Sequence, residues 1–142
     1  LTVGLRVKKQ MDNADKLARA LEKDPHVIKV NYPTVEKYPQ KELAKKLFKN
    51  SNMCGAMLSF EMPSDREKIN EFMKRLNICH YAPTLGGVRT TMSHPATSSH
   101  RDLPEEMKKA LGITEGLMRI SVGIEEPEDL IADFTQALKA FD

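Results

Sequence analysis

At 142 residues and 16.0 kDa the chain has the size of one domain, with no room for two well-formed cores. Hydrophobic residues make up 40% and charged residues 30%, too apolar for a disordered tail, and the longest run free of charged residues and histidine, residues 50–60, is half polar or glycine, which excludes a membrane-spanning segment there. The net charge of +2 hides an asymmetry: residues 1–49 carry +6, residues 50–99 carry +1 and residues 100–142 carry −5. The basic third spreads its lysines over polar helix faces and offers only Tyr32, Tyr38 and Phe48 for stacking, so it reads as a solvated face rather than a nucleic-acid surface. Two cysteines, Cys54 and Cys79, cannot form a secreted disulfide framework, and no basic-then-apolar leader opens the chain. A reducing, cytoplasmic setting is expected. The chain opens at Leu1 inside a predicted helix without an initiator methionine, as a fragment would.

The predicted first helix, residues 5–23, places Val7, Met11, Ala14, Ala18 and Leu21 in one stripe. Asp24-Pro25 ends it, because the residue before proline is pushed out of the helical region. Ile28, Val30 and Tyr32 alternate with polar neighbours, the period of a half-buried strand. A second helix is expected over residues 40–49, with Leu43, Ala44, Leu47 and Phe48 at helical spacing, and residues 56–61 read as a strand. Ser64-Asp65-Arg66-Glu67 has the form of a capping box, opening a helix that buries Ile69, Phe72, Met73 and Leu76. Strands are expected over 78–81 and 88–92. Pro104 begins a short helix turning Met107, Ala110 and Leu111 inward and closing at Gly112. Residues 117–124 put Met118, Ile120, Val122 and Ile124 on one face and Leu117, Arg119, Ser121 and Gly123 on the other. Pro127, Glu128 and Asp129 open a last helix whose stripe is Leu130, Ile131, Phe134, Leu138 and Phe141. This order predicts an α+β fold: a mostly antiparallel sheet of about four strands, helices packed on one face, the other face wet.

Arg119 stands out chemically. A guanidinium between apolar neighbours in mid-strand, beside small Ser121 and Gly123, is simply exposed on the strand, paired to a carboxylate of the acidic C-terminal third, or free to take one from a ligand. Gly86-Gly87, after Pro83-Thr84-Leu85, permits positive φ and close backbone approach, although such pairs are commonly simple turns. His94 and His100, six apart with hydroxyls between them, suggest metal or acid–base work, but no third ligand is spaced to match and loop histidines are commonly satisfied internally. No metal site is predicted.

Five stretches in order resemble the Cys/Met metabolism family of pyridoxal-phosphate (PLP)-dependent enzymes, which includes cystathionine γ-synthase, the cystathionine lyases and methionine γ-lyase. They are YPQKELA at 38–44, GAMLSFE at 55–61, TLGGV at 84–88, HPATSSH at 94–100 and LGITEGLMRISVGIEEPEDLIAD at 111–133. The resemblance covers nearly the whole chain and implies the C-terminal (small) domain of a type I PLP-transferase fold. It further implies that Arg119 grips the substrate α-carboxylate, that Thr84 lines the same pocket, and that the adjoining Leu85 backbone amide helps hold that carboxylate. The cofactor lysine, the phosphate-binding loop and the partner of the pyridine nitrogen belong to an upstream domain, so no catalytic or cofactor-binding residue is expected here. The resemblance therefore implies PLP in the full-length enzyme and none bound by this chain alone. It implies elimination or replacement at the β or γ carbon of a sulfur amino acid or acylated homoserine, the upstream domain and substrate as partners, and a homotetramer. Thr84 stands where serine is usual, Pro83 at a variable position, Arg89 and Thr91 for Glu and Leu, and Thr97-Ser98-Ser99 for Ser-Met-Thr. Composition and fold alone equally permit a stand-alone amino-acid-binding regulatory module.

Overall fold

The computed structural model describes residues 1–50 and 53–142; Ser51 and Asn52, part of the uncharged run, lie outside the described residues. Five helices, α1 (Val3–Lys23), α2 (Lys41–Leu47), α3 (Arg66–Arg75), α4 (Glu105–Ala110) and α5 (Pro127–Leu138), accompany five strands. These are β1 (Lys29–Asn31), β2 (Met57–Glu61), β3 (His80–Tyr81), β4 (Thr91–Ser93) and β5 (Leu117–Ser121), in the sheet order β1-β2-β5-β4-β3. The sheet is mixed and has five strands rather than about four: β3 runs parallel to β4, while the other three pairings are antiparallel. The fold is α+β, as the alternation of short strands and helices requires.

β5 lies at the centre, bonded to β2 on one side and β4 on the other. Its alternation sorts the sheet into two faces. Val30, Leu58, Phe60, Met92, Met118 and Ile120 are buried against α1, α3 and α5. There Phe60, Phe72 and Phe134 meet with ring centroids 6.1–6.2 Å apart, each edge-on pair adding about 1 kcal/mol beyond its area. The opposite face carries Asn31, Ser59, Arg119 and Ser93 in one cross-strand row, and Met57, Ser121, Thr91 and His80 in the next.

Local signals that depend on burial held less well than periodicity did. The core stripe of α1 is turned from the expected one: Gln10, Asn13, Ala14, Leu17, Ala18 and Leu21 are inside, whereas Val7 is exposed and Met11 half-buried. Ile28 is exposed although Val30 and Tyr32 are buried. Only Ala44 of α2 is buried, and α4 buries nothing, so Leu43, Leu47, Phe48, Met107 and Leu111 face outward. The α3 cap is Asp65, accepting from Lys68 N–H at 3.3 Å, rather than Ser64.

Asp133, a polar residue inside the α5 stripe, is buried and accepts the Asn77, Ile78 and Cys79 N–H groups at 2.9, 2.9 and 3.3 Å, tying the α3–β3 turn to α5. Beside it the Cys79 thiol is pushed up to about 12 by burial, with the Asp133 and Glu125 carboxylates adding to the effect. The folded state therefore favours the neutral thiol: this stability is full below the ordinary thiol range and is lost as pH rises through about 12. Urea unfolding between about pH 9 and pH 12 should lose stability more steeply in the wild type than in Cys79→Ala. Equal slopes would contradict the assignment.

Candidate functional site

Arg119 occupies the middle of β5, half-buried, on the face away from the helices. Its lateral neighbours are Ser59 on β2 and Ser93 on β4. Both side chains are too short to cover a guanidinium, and Asn31 beyond them donates to Ser59 Oγ at 2.9 Å. Among the described residues the Arg119 guanidinium forms no ion pair and no hydrogen bond; even Glu61, its diagonal neighbour on β2, stays beyond ion-pair distance. Of the alternatives for this arginine, internal pairing is absent among the described residues, and the side chain is half-buried rather than fully exposed. A planar, permanently charged fork with no partner on a face of small hydroxyls is suited to a carboxylate from outside.

The second element is the loop at residues 83–87. Gly86 adopts φ +70°, a conformation that side-chain-bearing residues rarely take, and turns the chain back over the sheet. Its N–H donates to Ser121 Oγ at 3.0 Å, and Thr84 Oγ1 donates to Thr91 Oγ1 at 3.1 Å. Ser121 and Thr91 are cross-strand partners on the same face as Arg119, in the row next to it. The structure thus ties the Thr84–Gly86 turn to the row next to Arg119, on the same sheet face. The Leu85 N–H bonds to no other described residue and remains a free donor.

A third set of contacts comes from α1. Gln10 Nε2 donates to Gly87 O at 2.7 Å and reaches Gly86 O at 3.5 Å, and Asn13 Nδ2 donates to the carbonyls of Gly123 and Glu125 at 3.1 and 2.6 Å. The Glu125 carboxylate accepts from Thr90 N–H and Thr90 Oγ1, both at 2.8 Å, while Thr90 Oγ1 accepts from Gly123 N–H at 2.9 Å. Ser121 was visible beside Arg119 in the strand pattern. Gln10 and Asn13 were not recognised, although Gln10 stands four residues before Ala14, in phase with Leu17 and Leu21; a polar residue in an apolar phase is the signal that finds it.

The histidine segment is self-contained. His94 is buried, its Nε2 bonds to Glu115 O, and its Nδ1 meets Thr97 Oγ1 at 2.8 Å; His100 Nδ1 meets Ser99 Oγ at 2.7 Å. Among the described residues no three His, Cys, Asp or Glu side chains gather as metal ligands, and no helix is long and apolar enough to cross a membrane.

The site is thus an α+β layer whose central strand presents a guanidinium unpaired among the described residues, on the sheet face to which a glycine turn is bonded. Residues 1–139 match the family described as Cys/Met metabolism PLP-dependent enzyme, and the chain belongs to it. It is similar to an L-methionine gamma-lyase of Fusobacterium nucleatum subsp. polymorphum, 39% identical over 138 residues, covering 97% of this chain and 34% of the relative. It is also similar to a cystathionine gamma-lyase of Bacillus subtilis, 41% identical over 138 residues, covering 97% of this chain and 35% of that enzyme. Among solved structures, a cystathionine gamma synthase from Xanthomonas oryzae pv. oryzae, in complex with aminoacrylate and cysteine, superposes with a TM-score of 0.88 at 34% identity. That match covers 98% of this chain and 35% of that one. A putative O-acetylhomoserine (thiol)-lyase from Campylobacter jejuni, which carries a pyridoxyl-lysine phosphate group, gives 0.89 at 36% identity, covering 97% of this chain and 32% of that one. The chain spans about a third of the length of the relatives it matches.

The family's cofactor is PLP, and among the described residues no lysine stands in the sheet row of Arg119 to attach it. Covalent attachment needs a lysine at the reacting centre, and the only lysine in the described strands, Lys29, lies on the Arg119 face but on the edge strand β1, one row away from Arg119. Lys16, Lys41, Lys45 and Lys108 are engaged with carboxylates on surface helices.

Proposed function

We propose that this chain is the C-terminal, substrate-carboxylate-binding domain of a PLP-dependent enzyme acting on a sulfur amino acid or an acylated homoserine. By itself it does not turn over. The observation that carries the reading is the unpaired Arg119 guanidinium under the pinned Thr84–Leu85 turn, in a chain of this family. Arg119 takes both oxygens of the α-carboxylate through its fork, each charge-assisted bond contributing about 1.5–3 kcal/mol. The Leu85 N–H adds a donor from the opposite side, and Thr84 borders the pocket with a hydroxyl already directed to Thr91. Fixing the carboxylate fixes the orientation of the bonds at Cα, so Arg119 acts on rate through geometry rather than by moving a proton. PLP, held by an upstream cofactor domain, supplies the electron sink for elimination or replacement.

Exposed apolar side chains support a docked existence. Val3 and Val7, about two turns and one turn before Gln10 on α1, are uncovered, as are Leu85, Val88 and Ile124 around the glycine turn, with Ile124 N–H bonded to Val88 O. Apolar groups gathered at the rim of a polar site suit a covering body, here the cofactor domain. In the complete enzyme the proposed assembly is a cytoplasmic homotetramer.

Two measurements test the reading. Titration of the isolated chain with PLP should give no stoichiometric visible band that a single Lys→Ala change removes; such a band would overturn it. Joined to the cofactor domain of the Fusobacterium relative, the chain should release ketoacid from a sulfur amino acid. A folded, cofactor-loaded fusion without activity would favour the regulatory module.

A further inference from the structure

We infer that Gln10 is a positioning residue for the carboxylate subsite: its amide, reaching out of α1, sets the height of the turn at 83–87 over the sheet, and with it the placement of the Leu85 N–H relative to Arg119. The inference rests on the carboxylate-binding reading above and assigns that site a residue from a different layer of the fold.

Gln10 is 3% exposed, yet the residues it serves, Thr84, Leu85, Gly86 and Gly87, are all exposed. Burying a primary amide is costly unless it is bonded, and the same stripe is otherwise filled by Ala14, Leu17 and Leu21. An apolar residue would serve the core as well. What the glutamine adds is a donor aimed at two successive carbonyls, Gly87 O at 2.7 Å and Gly86 O at 3.5 Å. Both carbonyls are thereby drawn toward α1, while the Gly86 N–H is held by Ser121 and the Thr84 hydroxyl by Thr91, both on the sheet. The turn is clamped between two layers, and among the N–H groups it leaves uncommitted is that of Leu85. Asn13, one turn further along α1, secures the backbone of Gly123 and Glu125 in the same manner, so a single helix face fixes two loops that are bonded to each other through Ile124 N–H and Val88 O.

The test uses the full 142-residue chain, isotope-labelled, with L-methionine as probe and the Gly86 and Arg119 amide signals as reporters. Gln10→Ala should speed hydrogen exchange at Gly86 and weaken the probe by roughly three- to tenfold, the range of one neutral hydrogen bond. Gln10→Glu should be equally weak at neutral pH, because a carboxylate repels both carbonyls. It should recover as pH falls from about 7 to about 4.5, where the protonated acid again donates to Gly87 O, while the wild type stays flat. A purely structural role would not give that pH-dependent rescue. Wild-type affinity in both variants at every pH would overturn the inference, and should Gln10→Ala fail to fold, the pH response of Gln10→Glu decides alone. If the wild type does not bind the probe, or Arg119→Ala binds it equally, the carboxylate reading has failed and this inference with it. If the wild type binds and the Gln10 variants match it, only this inference falls.

Discussion

Arg119→Ala is expected to remove saturable binding of amino acids by the chain while leaving its unfolding midpoint within about 0.5 kcal/mol of the wild type, because no internal ion pair is broken. Losing a bidentate, charge-assisted contact removes about 3–6 kcal/mol, so in a complete enzyme kcat/KM should fall by roughly 10²- to 10⁴-fold. Arg119→Lys keeps the charge and loses the fork, and should recover only part of the loss. Calorimetric or NMR titration checks the first effect and ketoacid release the second. Retained affinity in a folded Arg119→Ala chain would show that the carboxylate is held elsewhere. A large stability loss would point to a structural arginine instead.

The largest effect on stability should come from a position remote from any ligand. A Cβ on Gly116 would stand 1.8 Å from Met62 O and 2.6 Å from Met62 C, and the Met62 N–H donates to Gly116 O at 2.9 Å. This contact continues the β2–β5 pairing one step past the strands. The neighbour is backbone inside a sheet, so it cannot swing away as a side-chain tip would. Gly116→Ala should cost about 3 kcal/mol or more and disturb the adjoining Glu115 carbonyl that His94 uses. Urea unfolding with an unchanged slope would measure it. A midpoint equal to that of the wild type would mean that the two backbones have room to part.

How much of this was legible beforehand differs from element to element. β5 was legible because alternation is local: Met118, Ile120 and Val122 are fully buried and Arg119 lies on the other face, but the strand ends at Ser121 rather than at 124, and Ile124, expected on the inner face, is exposed. The apolar residues of α2 and α4 were read as inward and are exposed, because helical spacing shows that a stripe exists without showing what covers it. The same limit turned the α1 stripe. Its true inner face includes Gln10 and Asn13, whose carbonyl partners lie 76 to 112 residues further along the chain.

The amino-acid order alone was enough for the α+β class, the family and the strand face of Arg119, since each rests on short-range pattern or on motifs read in order. Tertiary structure alone decided that the Arg119 guanidinium has no partner among the described residues, that Ser121, Thr91 and Gln10 clamp the glycine turn, and that Asp133 ties down a distant turn. Hydrogen bonds and ion pairs act over about 3 Å between groups that the chain can place anywhere, so only the folded arrangement determines which of them form.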